Sequence, residues 1–596
     1  KPLRKLRASM SDLTAAGGAI PASAVRVRCA LPWGWQHVVG RTFGHRTSPY
    51  RAAPAFLSAL ADPPPTDVPG KATAPGRRRN DPPRPLDAVV PVWMTVKVPA
   101  DARPGTYMGK LTIRAEGAPA VAVPVELKVI DWVMPAPDRW RTWVELMQSP
   151  DTLAMEYGKE LWSNEHFELI GKSFDYFKEV GSGVVYVPLI AESNLGNAES
   201  MVRWIDKGNS RWEHDFSVMD RYLDVVLKHM GRPKFVVFPV WDVYIIPDER
   251  FAKATHAEAN AMKYLREHKN LLGAGPAVTV VDPATGKTEK LHLPHYTGRR
   301  CKAMWKPLFE RLRQRMKRLG LADRMLLGMM SDARPTSEEI AFLNDVSGKL
   351  PWMVHSHHGA GAEVRGAKIA YQARVWNISF GDYDPARGRR YGWRNATLMA
   401  CYERRGTLNS FPHTHWRNTA EICITGSTRG LARIGGDFWP ILKNRDGRRA
   451  ITLGHRYPHS SWRNLNLYSS VLAPGPDGPV ATSRFEVFRE GVQECEARIC
   501  LERLLTDKGH RGRLGADLAG RCQAALDERL RYIMVGLANL QLTGARWQYT
   551  QRWHDSPGVA GHLWYIGSGW QVRSEKLLGL AAEAARKLGA KSGKPG

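Results

Sequence analysis

A carboxylate and an arginine, Asp332 and Arg334, follow a short apolar run at residues 325–330. An apolar run that ends in turn residues, here followed by a helix-start pattern at residues 336–339, indicates a buried strand and then a capped helix. In a parallel barrel, residues just beyond the carboxyl end of a strand face the active-site opening. Asp332 is therefore a candidate catalytic carboxylate, either as an orienting base or as an electrostatic partner of a developing positive charge.

Other acids follow other predicted strands. Glu192 follows the second strand, Asp242 the third and Asp382 the sixth, while Asp437 lies in a Gly-Gly-Asp-Phe-Trp segment near the eighth. Two carboxyl groups at one opening can divide the roles of acid and base when their surroundings separate their pKa values. We therefore predict Asp437 or Glu192 as the catalytic partner of Asp332.

The elements that must position these residues alternate between strands and helices after residue 135. The predicted strands are Trp143–Met147, Val184–Leu189, Phe235–Trp241, Met325–Met330, Trp352–His355, Ile369–Trp376, Thr407–Phe411 and Leu431–Trp439. Helical periodicity lies between several of them, as at residues 217–230 and 304–319. Eight strand–helix units in roughly 300 residues predict a (β/α)₈ barrel.

Regions of different character flank this predicted barrel. Residues 1–135 contain a Pro-rich basic connector near residues 61–85 and then period-two alternation at residues 92–98 and 121–129, which predicts a β-sandwich. We place the barrel at residues 136–445. Residues 446–596 carry short strands and then helical periodicity, and they are predicted to form a C-terminal helical region.

The amino-acid composition indicates which kinds of molecule the protein can bind. Lys and Arg total 86 against 58 Asp and Glu, a net charge of +28, which favours polyanionic partners. The basic residues form separate loop clusters, so nucleic-acid binding is not predicted. No apolar run reaches the ~20 residues that span a bilayer. The seven cysteines lack metal-ligand spacing, so neither a zinc site nor a disulfide framework is expected.

Three segments carry a resemblance to a known family. They are Val98–Thr112 (VPADARPGTYMGKLT), Asp215–Tyr222 (DFSVMDRY) and Arg489–Glu496 (REGVQECE). In this order they resemble proteins of the glycoside hydrolase family 123 group, which overlaps the domain of unknown function 4091 family. The similarity covers roughly residues 90 to 505.

The resemblance implies a retaining β-N-acetylgalactosaminidase-like enzyme in which the acetamido oxygen of the substrate attacks the anomeric carbon. The family carries an Asp that orients the acetamido group and an adjacent Glu that protonates the leaving oxygen, in an Asp-Glu-Pro motif after the fourth strand. In this chain the motif becomes Asp332-Ala333-Arg334-Pro335. The Asp carries over, whereas Ala333 cannot donate a proton.

Three explanations for this departure remain open at the level of sequence. An acid from another strand end could replace the missing Glu. The substrate could lack an acetamido group and use a rearranged pair of carboxylates. The chain could also be a catalytically inactive glycan-binding protein on the same scaffold.

Further side chains at the predicted strand ends are candidates for binding a glycan. Tryptophan faces can stack on sugar rings, although any one of them can equally fill the core. The histidines can line the opening as donors or proton carriers, or can form structural hydrogen bonds; no metal site and no cofactor are predicted. The predicted substrate-binding residues are Arg334, Trp241, Asp242, His355, His357, Trp376, His413, His415, Trp416, Arg417 and Trp439.

The predicted function is glycoside hydrolysis at the carboxyl ends of the barrel strands. Guanidinium groups at Arg334, Arg374, Arg390 and Arg417, together with the net charge, favour an acidic or sulfated glycan as substrate. A periplasmic or secreted location is expected for such an activity.

Overall fold

The computed structural model describes residues 1–33, 56–74, 84–247, 256–356, 360–375, 391–394, 398–402, 413–426, 428–445, 447, 449–460, 470–544 and 569–589. The chain forms two compact units. Unit 1 comprises residues 1–136, 409–418 and 473–596, and unit 2 comprises residues 137–408 and 419–472. The fold is thus multidomain and mixed α/β. Residues 473–596 belong to the same unit as residues 1–136, and the domain bounds at residues 135 and 445 stay predictions.

Unit 1 begins with β-sheets. Its first strands are β1 Arg7–Met10, β2 Leu13–Ala15, β3 Gly18–Ile20, β4 Val25–Trp33, β5 Phe56–Ala61, β6 Lys71–Ala74, β7 Arg84–Leu86, β8 Val92–Val96, β9 Gly105–Arg114 and β10 Val121–Val129. One sheet has the order β1-β9-β2-β3 with β10 on β9, and another has the order β5-β4-β8. Leu13, Ile20 and Tyr107 of the first sheet share a buried cluster with Val25 of the second. The β-rich character predicted for this region agrees with the structure.

Unit 2 contains a set of parallel strands with helices between them. In chain order its elements are β11 Trp143–Met147, α1 Pro150–Tyr157, α2 Asn164–Glu179, β12 Val184–Tyr186, β13 Arg203–Asp206, β14 Trp212–Asp215, α3 Ser217–His229, β15 Phe235–Pro239, α4 His256–Glu267, β16 Ala277–Val281, β17 Thr288–His292, α5 Cys301–Arg318, β18 Met325–Met330, α6 Ser337–Ser347, β19 Trp352–Ser356, β20 Glu363–Val364, β21 Ala367–Val375, β22 Leu398–Tyr402, α7 His413–Thr425 and β23 Gly430–Gly435. The first six residues of α7 belong to unit 1.

Eight strands of unit 2 pair side by side in parallel. Their order is β11-β23-β22-β21-β19-β18-β15-β12. Every neighbouring pair is parallel. A parallel bridge joins Val144 of β11 to Ser182, two residues before β12, and the Gly183 N–H donates to the Val144 carbonyl at 3.2 Å. The first and last strands of the path therefore meet, and the carboxyl ends of all eight lie at one edge.

Burial on both faces explains why these strands read as continuous apolar runs. All residues of β11, β12, β18, β19 and β23 are buried, as expected for a parallel sheet covered on both sides. Seven of the eight predicted strand positions agree with the structure. In the seventh position of the pairing order the structure has Leu398–Tyr402, and the predicted strand Thr407–Phe411 lies outside the described residues.

The remaining elements complete the chain. They are β24 Leu442–Lys443, β25 Arg449–Ile451, β26 Leu472–Gly475, β27 Gly478–Ala481, α8 Ser483–Thr506, α9 Lys508–Gly544 and α10 Trp570–Lys587. Within α9, Gly515 has a φ of 74°, so the helix is interrupted there. Leucines and alanines of α8, α9 and α10 form one buried cluster in unit 1, as predicted for a helical C-terminal region. Across the described residues, the helices are too short or too polar to cross a membrane.

Candidate functional site

Asp332 lies just beyond the carboxyl end of β18 and remains partly exposed. Its Oδ1 accepts a hydrogen bond of 2.6 Å from the hydroxyl of Ser356, the last residue of the neighbouring strand β19. A short turn shapes the loop, since the Ser331 N–H donates to the Ala333 carbonyl at 3.0 Å. The strand end therefore presents an oriented carboxylate at the edge where all eight strands end.

The residues after Asp332 are fixed by neighbouring groups. Ala333 is fully buried, whereas Arg334 is partly exposed. The Arg365 guanidinium donates to the Pro335 carbonyl at 2.5 Å. Thr336 and Glu339 form a reciprocal capping box at the start of α6, which satisfies amide groups at the helix start. A polar loop is therefore held between two regular elements.

Glu192 does not have the properties of a proton donor. Its carboxylate lies 2.8 Å from Lys290 Nζ and 3.0 Å from His459 Nε2. Burial raises the pKa of Glu192, but the hydrogen bonds and charges of His459 and Lys290 outweigh burial and lower it to about 2. The side chain is thus an anion at any physiological pH, which argues against our prediction of Glu192 as a catalytic acid.

Asp437 is fully buried and lies two residues after β23. Its carboxyl group accepts hydrogen bonds from Ser149 N–H at 2.6 Å, from Ser173 Oγ of α2 at 2.7 Å and from Gln148 Nε2 at 3.2 Å. Burial raises its pKa to about 6, despite these donors. Because α2 supplies one of the donors, the carboxyl links the sheet to its helix layer. These contacts favour a structural role for Asp437, and its catalytic role stays a prediction.

Asp242 follows β15, the strand paired with β18. It is buried, and its oxygens accept from the amides of Asn194 and Val243, each at 2.6 Å. Burial outweighs these bonds and raises its pKa to about 7. Asp242 therefore follows the strand next to that of Asp332, and its pKa lies near neutral pH.

Two of the tryptophans that we predicted to stack on sugar rings are buried. Trp241 is 3% exposed and its indole N–H donates to Glu339 Oε1 at 3.2 Å. Trp439 is fully buried and donates to Glu156 Oε2 at 2.9 Å. Both rings therefore act as packing and anchoring groups in this structure, rather than as open surfaces for a sugar.

The residues predicted to follow the seventh strand lie elsewhere. Trp416 is fully buried with its ring 6.3 Å from that of Phe488, and Arg417 donates to Glu494 at 2.9 Å with its guanidinium 4.0 Å from the Trp570 ring. These contacts belong to unit 1, since a helix, not a strand end, carries both residues. Trp416 and Arg417 therefore lie on a helix and not directly after a strand, and their glycan-binding role stays a prediction.

Several predicted side chains lie outside the described part of the chain. His413 and His415 occupy the first turn of α7, but their side chains lie outside the described residues. His357, Trp376, Asp382 and Arg390 also lie outside them. Their proposed roles remain predictions.

His355 belongs to a buried cluster that sequence reasoning missed. Its Nε2 lies 3.2 Å from Glu145 Oε2, and the hydroxyl groups of Tyr186 and Tyr371 also donate to Glu145. All four side chains are buried among the eight strands. An acid at the centre of an otherwise apolar strand, Trp143-Val-Glu145-Leu-Met147, was the signal that could have revealed this cluster.

Comparison with known proteins supplies independent information. The sequence model of the glycoside hydrolase 123 catalytic domain matches residues 147–500. A family 123 glycoside hydrolase from Clostridium perfringens, studied for glycolipid glycan hydrolysis, has a similar structure, with a TM-score of 0.57 and 13% sequence identity, over 96% of this chain and 91% of that chain. A GH5 xyloglucanase from Bacteroides ovatus aligns over 67% of this chain and 88% of its own with 12% identity, at a TM-score of 0.25. No curated protein sequence matches significantly.

The family match covers more than half of the chain and includes seven of the eight parallel strands, the Asp332 loop and most of α8. The structural likeness extends over both units. The chain therefore belongs to glycoside hydrolase family 123.

Proposed function

We propose that the chain hydrolyses a glycoside at the carboxyl ends of its eight parallel strands, and that these strands form a (β/α)₈ barrel. The observation that carries the proposal is Asp332, a partly exposed carboxylate oriented by Ser356 at the end of the fourth strand. Barrel enzymes place their reacting groups at this edge. In the acetamido-assisted reaction of the family, Asp332 would orient the acetamido group and stabilise the positive charge that it develops.

The proton donor that we propose is Asp242. Since Pro239 of β15 pairs with Gly328 of β18, Asp242 and Asp332 follow adjacent strands. A carboxyl group with a pKa near 7 can remain protonated below neutral pH and can donate to a leaving oxygen. Because Asp242 is buried and accepts from the Asn194 amide, we propose that the segment around Asn194 moves when a glycan binds, so that the carboxyl group can donate to it.

The leaving group of the substrate tests this assignment. Dinitrophenolate leaves a glycoside without being protonated, whereas the alcohol leaving group of a natural glycan or alkyl glycoside needs a proton from an acid. We expect Asp242→Asn to lose about 10² to 10⁴ in kcat on the poor leaving group and little on the good one. Glu192→Gln is the control and should not discriminate between the two. Equal losses on both substrates would remove Asp242 from the role of acid.

An anionic glycan is the substrate class that we propose. Arg334 lies in the loop after β18, and Arg374 lies at the carboxyl end of β21; both are partly exposed. Among the described residues, Arg374 Nε has no hydrogen-bond partner. Guanidinium groups bind sulfate or carboxylate groups in a bidentate manner. Higher kcat/KM for a sulfated N-acetylgalactosaminide than for its unsulfated form would support the class, and a preference for the unsulfated form would contradict it.

A second candidate is glycan binding without turnover. It is favoured by Ala333, which stands where the family carries its acidic Glu and is fully buried. Calorimetry and product detection on the same glycans separate the two functions. Binding with no released sugar, after extended incubation with aryl and natural glycosides, would replace hydrolysis by this second function.

A further inference from the structure

Glu145 is a fully buried acid in the middle of β11. Its oxygens accept hydrogen bonds from Tyr186 of β12, His355 of β19 and Tyr371 of β21. The Trp143 indole N–H donates in turn to the Tyr371 hydroxyl at 3.0 Å. One carboxyl group thus joins four of the eight parallel strands, including strands that are far apart in the pairing order.

The surroundings of Glu145 favour its ionised form. Burial raises the pKa of the carboxyl group, but its contact with His355 and the hydrogen bonds from the two tyrosine hydroxyl groups outweigh burial and lower it. Burial also lowers the pKa of His355, which favours its neutral ring. Burial, and then the charge of Glu145, raises the pKa values of Tyr186 and Tyr371, so both remain donors. An ion held by several donors is rigid but is a weak source of stability compared with apolar packing. Stability alone therefore does not explain why Glu145 is held by these donors.

The cluster connects to Asp332 through a single peptide unit. His355 is followed directly by Ser356, whose hydroxyl holds Asp332 Oδ1 at 2.6 Å. The Nδ1 atom of His355 has no hydrogen-bond partner in the described part of the chain. The Nε2 contact with Glu145 therefore sets the orientation of the ring, and with it the position of the last two residues of β19.

We infer that Glu145 is a positioning residue for Asp332: it holds His355, and through the His355–Ser356 segment it places the Ser356 hydroxyl against the carboxylate. This inference rests on the proposed function, because Asp332 must take part in the reaction. Small displacements of a reacting group have large effects on rate. The cluster therefore contributes to kcat without touching the glycan.

The first experiment compares steady-state kinetics of Glu145→Gln with the wild type on an aryl N-acetylgalactosaminide. The amide keeps the size of the side chain but removes its charge and one acceptor. We expect kcat to fall about tenfold to hundredfold and KM to stay within about twofold. Glu502→Gln is the matched control, since Glu502 is also buried and paired, with Arg498 of the same helix at 2.8 Å. It should leave both constants unchanged.

A double-mutant cycle separates positioning from general destabilisation. If Glu145 acts through Ser356, the loss of kcat caused by Glu145→Gln should shrink to about twofold or less in a Ser356→Ala background. Independent effects would add, so an unchanged loss in that background would overturn the inference. Tyr186→Phe removes one donor and leaves the other two; if Glu145→Gln does not fold, this variant should show a smaller loss of kcat in the same direction and enters the same cycle.

The outcomes distinguish this inference from the proposed function. Loss of activity in Asp332→Asn with full kcat in Glu145→Gln overturns the positioning role alone. Retention of activity in Asp332→Asn, or a wild type that hydrolyses nothing, overturns both. Non-additive losses of kcat at Glu145 and Ser356, with KM unchanged, support both.

Discussion

The pKa values of buried and paired carboxyl groups in unit 2 shift in opposite directions, depending on the charge of their neighbours. Glu192 faces a lysine and a histidine, and its pKa falls to about 2, whereas Asp437 and Asp242 accept hydrogen bonds from neutral groups and their pKa values rise to about 6 and about 7. At Asp437 and Asp242 the uncharged donors do not offset the cost of removing the anion from water. Sequence position alone therefore identified acids near strand ends but not which of them can hold a proton.

Asp437 provides a pH-dependence test at the residue scale. Its folded pKa of about 6 lies above the value of an unfolded Asp, so its stabilising contribution is present at acidic pH and is lost as pH rises from about 4 through 6. We expect the free energy of unfolding of the wild type to fall by about 2 to 3 kcal/mol relative to that of Asp437→Asn as the pH rises across that interval. Denaturant unfolding at several pH values measures it. Parallel pH profiles for the two proteins would contradict the assignment.

At the scale of elements, local patterns predicted most of unit 2. Apolar runs located seven of the eight parallel strands, because strands buried on both faces carry few polar residues. The short strands β1, β2 and β3 were missed, since β1 pairs with β9 about 100 residues away and carries no local period. The site was predicted in part for the same reason: Asp332 follows a strand, but the contacts of Glu145 join residues that are remote in sequence.

The helix after the Asp332 loop gives a test at this scale. Thr336 Oγ1 accepts from the Glu339 amide at 3.2 Å, and Glu339 accepts from the Thr336 amide at 2.6 Å. Thr336→Ala should lower the free energy of unfolding by about 1 kcal/mol, because it leaves the first turn of α6 without its cap. Thr336→Ser keeps the hydroxyl and should retain most of the stability. Equal losses in chemical denaturation would show that the cap is not the cause.

The whole molecule carries a formal charge of +28, which acts on any anionic ligand. Attraction between exposed charges weakens as salt shortens the screening length from about 10 Å at 0.1 M to about 3 Å at 1 M. We therefore expect the affinity for a sulfated glycan to fall about tenfold or more across this range, and calorimetry can measure it. The unsulfated glycan of the same backbone is the control and should bind with little salt dependence. A shared salt response would argue against charge recognition.

The central claim is that Asp332 is the reacting carboxylate, and kcat/KM of Asp332→Asn on an aryl N-acetylgalactosaminide tests it most directly. Asparagine can still accept the Ser356 hydrogen bond, so the fold should persist while the charge is lost. Asp323→Asn, an exposed position just before β18, is the matched control. We predict a loss of about hundredfold or more for Asp332→Asn and an unchanged value for Asp323→Asn. A kcat/KM for Asp332→Asn that equals that of the control would contradict the account.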